Sequence, residues 1–389
     1  MKVFLLIILS ISSLYSYNCE YIGNISIKAL AYSDFTNENN LFGNTKLNCK
    51  SGFFDLKTNV EYLFSDQYQQ KRYIYIQELY LLKEYKTSKI ELGKSIKYWG
   101  ELEGYNPADI FNQKNYLFDP FDNSKKLGSY NINYTYYFDE DSLESGIKLY
   151  EFGKELPEQN NPYHILPLAY NKSLEVEKLK ATPSVYLKYN FSYGDEFQSD
   201  NKLILYRGYD NKRNFVLIDN SLAQYAYRVN KAIFFSNIVY EGFIFKFEYS
   251  YTDMIDESLM SDYSQIAIGF ENGFYDVFGF DINTYTEYYK YNYQDESKPI
   301  NVDISEVYDN DIFVALKFNF NNTLGSELKT GLLYDIKNYE KVFQTKIKTR
   351  ILDGTTLNVG YLKLVSKEGT LLQKYRDHNR ITISLRYTF

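Results

Sequence analysis

Beyond its first fifteen residues the chain lacks any apolar run near the roughly 18 residues that a membrane-crossing helix requires, which excludes a helical membrane bundle. Histidine and cysteine are also scarce, at two each. So few imidazoles and thiols, so far apart, give no zinc-site spacing. His164 lies in NPYHILP and His378 in RDHNR, both expected loops, and no hydroxyl-nucleophile motif accompanies either. No hydrolytic triad is therefore indicated. The expectation is a non-enzymatic protein with no cofactor and no metal. A basic excess is missing as well. With a formal net charge of −7 and no basic stripe, nucleic acid is not an expected partner.

What is abundant is aromatic. Tyrosine and phenylalanine lift the aromatic share to 19%, and such residues favour strands and collect at membrane–water interfaces. The chain ends in RITISLRYTF, where Ile381, Ile383, Leu385, Tyr387 and Phe389 share one face of a strand and Arg380, Thr382, Ser384, Arg386 and Thr388 the other. That period of two recurs in SYNINYTYYF (129–138), GFIFKFEYSY (242–251) and IFVALKFNF (312–320). The pattern predicts about eighteen strands, with sixteen the alternative count, including single strands over 224–240, 263–271 and 274–290.

The connections alternate in length. Tight turns are expected at Ser51-Gly52-Phe53, Lys86-Thr87-Ser88, Glu241-Gly242, Glu271-Asn272-Gly273 and Asp353-Gly354, among others. Long loops are expected over 99–126, 153–184, 209–223, 291–309 and 367–379. Such parity belongs to up-and-down strands crossing a membrane, with turns on the periplasmic side and loops outside. A sandwich would also have to bury the polar strand faces in its core, which is costly. The fold class is therefore all-β: a transmembrane up-and-down antiparallel β-barrel over 17–389. Residues 1–16, a lysine followed by VFLLIILSISSL, read as a secretory signal peptide. The setting is the outer membrane of a Gram-negative cell envelope, with lipid and lipopolysaccharide as neighbours.

The stretch GKSIKYWGELEGYNPADIF, after QELYLLKEY one strand earlier, carries Gly93, Lys94, Trp99, Gly100, Asn106, Pro107 and Asp109, with Glu78 at an acidic strand position. It resembles a porin-like outer-membrane barrel family with a Trp-Gly strand end and an Asn-Pro-x-Asp loop. Ser95 stands where that family often has glutamine. The resemblance implies envelope transport rather than a particular solute. The ending in Tyr387 and Phe389 similarly resembles the signal by which the barrel-assembly machinery recognises clients.

Two readings of loop 99–126 compete. In one, Trp99 and Tyr98 anchor an outer interfacial girdle. In the other, the loop folds into the mouth, and Asp109, Asp119 and Asp122 line a constriction. Strict alternation would turn Lys94 to lipid, at a cost of roughly 2–4 kcal/mol at mid-membrane, so a bulge or an inward register is expected there. Lys346, Lys348, Arg350 and Arg386 form an expected basic lumen wall; Glu78 and Glu91 are its expected acidic counterpart, and Lys97 another pore-lining candidate. Cys19 and Cys49 fall at the periplasmic ends of neighbouring strands, in an oxidising compartment, so a disulfide is expected. In loop 291–309, Asp295, Glu296, Asp303, Glu306 and Asp309 face one Lys298, without EF-hand spacing. The expected function is a porin-like channel for passive or weakly selective uptake of small solutes through a partly basic lumen. The alternatives are a transporter for hydrophobic compounds, with an entry path through HILPLAY (164–170), and a plugged structural or adhesive barrel.

Overall fold

A computed structural model describes residues 18–122, 124–194, 197–256, 260–295 and 307–389. The signal segment 1–16 lies outside them, as do Glu296, Lys298, Asp303 and Glu306 of the acidic loop. The wall strands are β1 (Asn18–Tyr32), β2 (Glu38–Lys50), β3 (Asp55–Ser65), β4 (Arg72–Glu84), β5 (Ser88–Ser95), β6 (Ser129–Phe138), β7 (Asp141–Lys148), β9 (Ser184–Tyr193) and β10 (Gln198–Tyr209). They continue as β13 (Arg228–Tyr240), β14 (Phe243–Met254), β15 (Tyr263–Val277), β16 (Phe280–Tyr293), β17 (Asn310–Asn319), β18 (Glu327–Asp335), β19 (Lys341–Leu352), β20 (Thr355–Val365) and β21 (Arg380–Thr388). Three shorter strands, β8 (Tyr170–Val176), β11 (Asn214–Ile218) and β12 (Ser221–Ala226), make a separate sheet.

The eighteen wall strands form one antiparallel sheet that closes on itself, β21 pairing with β1 from Asn24↔Thr388 to Tyr32↔Arg380. Side-chain alternation decides which face looks out. On β21, Ile381, Ile383, Leu385, Tyr387 and Phe389 are each about half exposed on the outside, while Arg380 is buried inside. On β6, Tyr130, Ile132, Tyr134 and Tyr136 point outward, and Asn131, Asn133 and Thr135 are buried inward. An apolar, aromatic exterior around a polar interior is the construction of a barrel in lipid. Closure leaves no sheet edge at the β1–β21 seam.

The first and last wall strands meet at that seam. The Gly23 and Phe389 backbones exchange two hydrogen bonds of 2.9 Å. The Phe389 ring covers Gly23 so closely that an added Cβ there would lie 2.5 Å from it. Beside this seam Cys19 pairs directly with Cys49, and the two are disulfide-bonded.

Two expected boundaries move. The ladder of β15 and β16 runs through Asn272↔Thr284 and Gly273↔Asn283, past the expected Asn-Gly turn. The chain reverses instead at Phe278 and Gly279, both with positive φ (55° and 84°). Glycine takes that conformation freely, and continuing the ladder satisfies more backbone groups than turning early. The expected strand 224–240 is likewise two elements. Residues up to Ala226 belong to the small sheet, and the wall resumes at Arg228.

The phase of Lys94 is resolved by its neighbour. A bulge at Gln77 shifts the register of β4 against β3, from Asn59↔Glu78 to Val60↔Ile76. The β4–β5 ladder ends at Leu79↔Lys94. Lys94 keeps an outward backbone phase, but its side chain turns back beside β4. There its Nζ donates to the Ile76 carbonyl at 2.6 Å and lies 3.7 Å from the Tyr75 ring centre.

The closure makes two predictions. Gly23→Val should displace the Phe389 ring and reduce the folded, heat-modifiable band on unboiled gels relative to the wild type. Intact-mass analysis after alkylation should show no modified cysteine without reductant and two with it.

Candidate functional site: a lumen crossed by an inserted loop

β5 and β6 separate at the pair Ser95↔Ser129, and the loop between them, 96–128, turns into the barrel. One buried side chain fastens this neck. The Asn112 Nδ2 donates to the Ser95 carbonyl (3.2 Å), the Leu127 carbonyl (2.9 Å) and the Ser129 hydroxyl (3.1 Å), while its Oδ1 accepts the Lys97 amide at 2.7 Å. The loop carries its own apolar face, Trp99, Ala108, Ile110 and Phe111, onto Tyr186, Ile204, Tyr206 and Val229 of the inner wall. Trp99 is 4% exposed and packs edge-on to Tyr186 with ring centres 5.0 Å apart. The girdle reading of Trp99 is thereby corrected. The tight neck carries the chain inward before it reaches the outer interface, and the indole finds an aromatic wall there.

The residues that carried the family resemblance build this turn. Gly100 has φ 107°, and a Cβ on it would lie 2.5 Å from Asn106. The Asn106 side chain accepts the Leu102 amide (2.7 Å) and donates to its carbonyl (3.0 Å). Asp109 accepts the Trp99 amide at 3.2 Å and is ion-paired with Lys126. Burial pushes the Asp109 carboxyl above the ordinary aspartate range, even with Lys126 opposing it.

The loop is then tied to the wall by two carboxylates that the sequence reading missed. Glu248 on β14, fully buried, accepts the amides of Glu101 (2.7 Å) and Ala108 (3.0 Å). Glu287 on β16 accepts those of Glu103 (2.8 Å) and Gly104 (3.0 Å). Each is a lone acid at an inward position of an aromatic strand, KFEYSY and TYTEYY, and that isolation was the available signal. Ion pairs complete the circuit: Lys202–Glu101 from β10, Lys329–Glu103 (2.5 Å) from β18, Lys125–Glu61 (3.5 Å) to β3 and Arg380–Asp119 from β21. Asp119 is held down to about 2; burial opposes ionisation, but the Arg380 guanidinium outweighs it.

The remaining candidates fall into two groups. Glu91 is paired with Lys89 (3.1 Å) and Lys97, and Glu78 accepts the Ile96 amide at 3.2 Å. These acids are thus engaged with the neck of the loop. Lys346, Lys348 and Arg350 share the inward face of β19, with Arg386 on the inward face of β21. Lys348 reaches Glu327 at 3.4 Å and Arg350 the Thr323 carbonyl. Lys346 has neither an ion pair nor a hydrogen bond among the described residues. A cavity of about 250 Å³ separates β17–β19 from the loop here, bounded by Phe121, Asp122, Lys329, Gln344 and Lys346. Of the three loop aspartates, Asp122 borders this space, while Asp109 and Asp119 are taken up in ion pairs.

Loops 149–183, 210–227 and 366–379 pack together above the inserted loop. β8 and β12 pair across two of them. Arg213 and Lys148 (2.8 Å) share Glu151, and the His378 ring packs on Tyr163 (4.6 Å) with its Nε2 2.8 Å from the Pro162 carbonyl. Burial, with Arg380 adding to it, pushes His378 down to about 3. The HILPLAY segment belongs to this cap. A cavity of about 20 Å³ lies beside it, walled by Tyr163, Ile165 and Tyr170.

The fold defines a closed 18-stranded transmembrane barrel of the outer-membrane type, with a loop across its lumen. No family model and no curated protein matches the chain. Among solved structures it is similar to OccK3 (OpdO) of Pseudomonas aeruginosa, at 9% identity and TM-score 0.57, over 96% of each chain. OccK2 (OpdF) of the same organism, crystallised in complex with glucuronate, aligns at 8% identity and TM-score 0.57, over 96% of this chain and 97% of that one. OccAB1 of Acinetobacter baumannii gives 8% identity and TM-score 0.54, over 96% of each. At such identities the likeness is one of fold.

Glu248→Ala should strand the amides of Glu101 and Ala108, at about 1–3 kcal/mol for each buried donor left unpaired, and free one side of the loop. The expected result is larger, noisier single-channel steps than the wild type. A second prediction concerns His378. Its depressed value means that below about 6.5 the unfolded loop takes up a proton that the packed one refuses. The stabilisation is therefore present above that pH and lost as pH falls toward 3. Hydrogen exchange of 372–378, corrected for intrinsic rates, should lose protection on going from pH 7.5 to 4.5, and His378→Gln should lose less.

Proposed function

We propose that the chain, exported by its first sixteen residues, is an outer-membrane channel for small solutes, with a lumen that favours anions. The observation that carries this reading is an asymmetry between the two sides of the inserted loop. Toward β14 and β16 the loop is fastened without a gap, its amides consumed by Glu248 and Glu287. Toward β17–β19 it leaves the cavity bordered by Lys329 and Lys346, with Lys348, Arg350 and Arg386 further along the same wall. Of the nearby acids, Glu103 and Asp122 border the same cavity, Glu103 being taken by Lys329 and Glu327 by Lys348, while Glu91 and Glu78 are engaged with the neck. Among the described residues Lys346, Arg350 and Arg386 make no ion pair and keep capacity for a negative partner, and rings of such side chains favour anions. That a barrel of this fold, OccK2, was crystallised with glucuronate, an anion, agrees with the reading.

Purified protein in planar bilayers under a KCl gradient should give discrete steps and a reversal potential on the chloride side. Lys346→Glu together with Lys348→Glu should move that potential toward potassium. A wild-type potential on the cation side would overturn the proposed selectivity, and a folded barrel without steps would overturn the channel.

A further inference from the structure

The wall is incomplete on one side, and the incompleteness has chemistry attached. β5 is short and ends at Ser95, where the chain dives inward; β6 begins opposite it at Ser129. β4 continues beyond this level. Its residues from Arg72 to Glu78 are paired with β3 on one side, and among the described residues no strand pairs with them on the other. At a rise of about 3.3 Å per residue, that free edge is roughly 20 Å long. Ile74 and Ile76, exposed by 70% and 39%, lie on it, and Tyr130 and Leu149 face outward across the seam. Exposed apolar side chains at this level mark it as lipid-facing. In hydrocarbon, an unpaired strand edge is tolerated only where it is buried in protein or lines a cavity.

Near the seam lies a cavity of about 210 Å³, bordered by Tyr75 of β4, Leu127, Phe152 and Tyr170 and, in equal measure, by polar and charged groups that include Lys154, Glu155 and Lys172. Lys94, itself buried, stands beside the cavity with its stem against Gly128. Its ammonium occupies the position of the missing strand, donating to the Ile76 carbonyl and resting on the ring of Tyr75, which lines the cavity. That one hydrogen bond leaves two of the three ammonium donors for a ligand.

We propose that this seam is a lateral portal through which a single-chain anionic amphiphile, a long-chain carboxylate, passes between the outer leaflet and the interior of the barrel. Lys94 receives the carboxylate, and the seam between Ile74, Ile76, Tyr130 and Leu149 admits the apolar chain. The cavity falls below the roughly 300 Å³ lower end of ordinary ligand pockets. It therefore takes one chain rather than a lipid with several. The portal is separate from the axial passage along β17–β19 and does not depend on the ion selectivity proposed for it.

The test uses the single tryptophan. In a Trp99→Phe background, Tyr75→Trp places a fluorophore on the cavity wall, and Phe152→Trp does so from the opposite side if the first variant folds poorly. Brominated dodecanoate added to the protein in uncharged detergent should quench this tryptophan saturably. Adding Lys94→Met should weaken the binding about tenfold, in line with the loss of one charge-assisted contact, and should leave the binding of a brominated uncharged alcohol of the same length unchanged. Single-channel conductance of Lys94→Met should match the wild type. Quenching that is unaffected by Lys94→Met, or equally strong with a brominated two-chain phospholipid, would overturn the proposal.

Discussion

Everything inside this barrel depends on Glu248 and Glu287 accepting backbone amides from a loop that would otherwise be unsupported. A segment without regular hydrogen bonding can occupy the middle of a protein only if its N–H and C=O groups find partners. Here two wall carboxylates each take two amides, and Asn112 secures the neck. Hydrogen bonds of this kind are costly to lose, because each buried amide left unpaired forfeits its full desolvation penalty. A handful of them, backed by the packing of Trp99 and Phe111, can therefore hold the loop across the lumen. Remove that support and the cavity at Lys346, the position of Asp119 and the floor of the cap all lose their definition.

The same anchoring divides the charged residues into those that build and those that remain available. Asp109, Asp119, Glu91, Glu101 and Glu103 are each matched by a lysine or arginine at close range. Buried pairs of this kind contribute little net stability against an apolar alternative, yet breaking one partner is costly. Their value is positional. What they leave over is the row on β19 and β21, where Lys346 has no ion pair or hydrogen bond among the described residues and Lys348 and Arg350 are only loosely engaged. A net charge of −7 therefore coexists with a row of basic side chains on the inner face of β19.

The architecture was legible in the sequence because a barrel writes itself in two simple signals, the period of two and the parity of loop lengths. RITISLRYTF gave the apolar and polar faces of β21, the loop parity told which of them looks outward, and the wall has the expected eighteen strands. What was not legible is where the chain leaves the wall. Trp99 looks like an interface anchor by residue type; its burial follows from Asn112 closing a neck that involves residues more than fifteen positions apart. Residues 224–226 read as the start of a wall strand but pair in parallel with β8 instead. The Asn-Gly at 272–273 reads as a turn, although the ladder runs past it to Gly279. In each case a local pattern was overruled by a contact distant in sequence.

Lys94 shows the same overruling at a single residue. Alternation predicts a lysine facing lipid, and taken alone that would be costly. The fold avoids the cost by ending β5 one residue later and bulging β4 at Gln77, so that the ammonium finds the carbonyl left open by the departed strand. A cation is thus fixed at a break in the wall, next to a cavity and among exposed apolar side chains. The device that admits the loop to the lumen is also the one that opens the wall, because β5 cannot both turn inward at Ser95 and continue to cover β4. Inserted loop and lateral seam are therefore two consequences of one strand ending early.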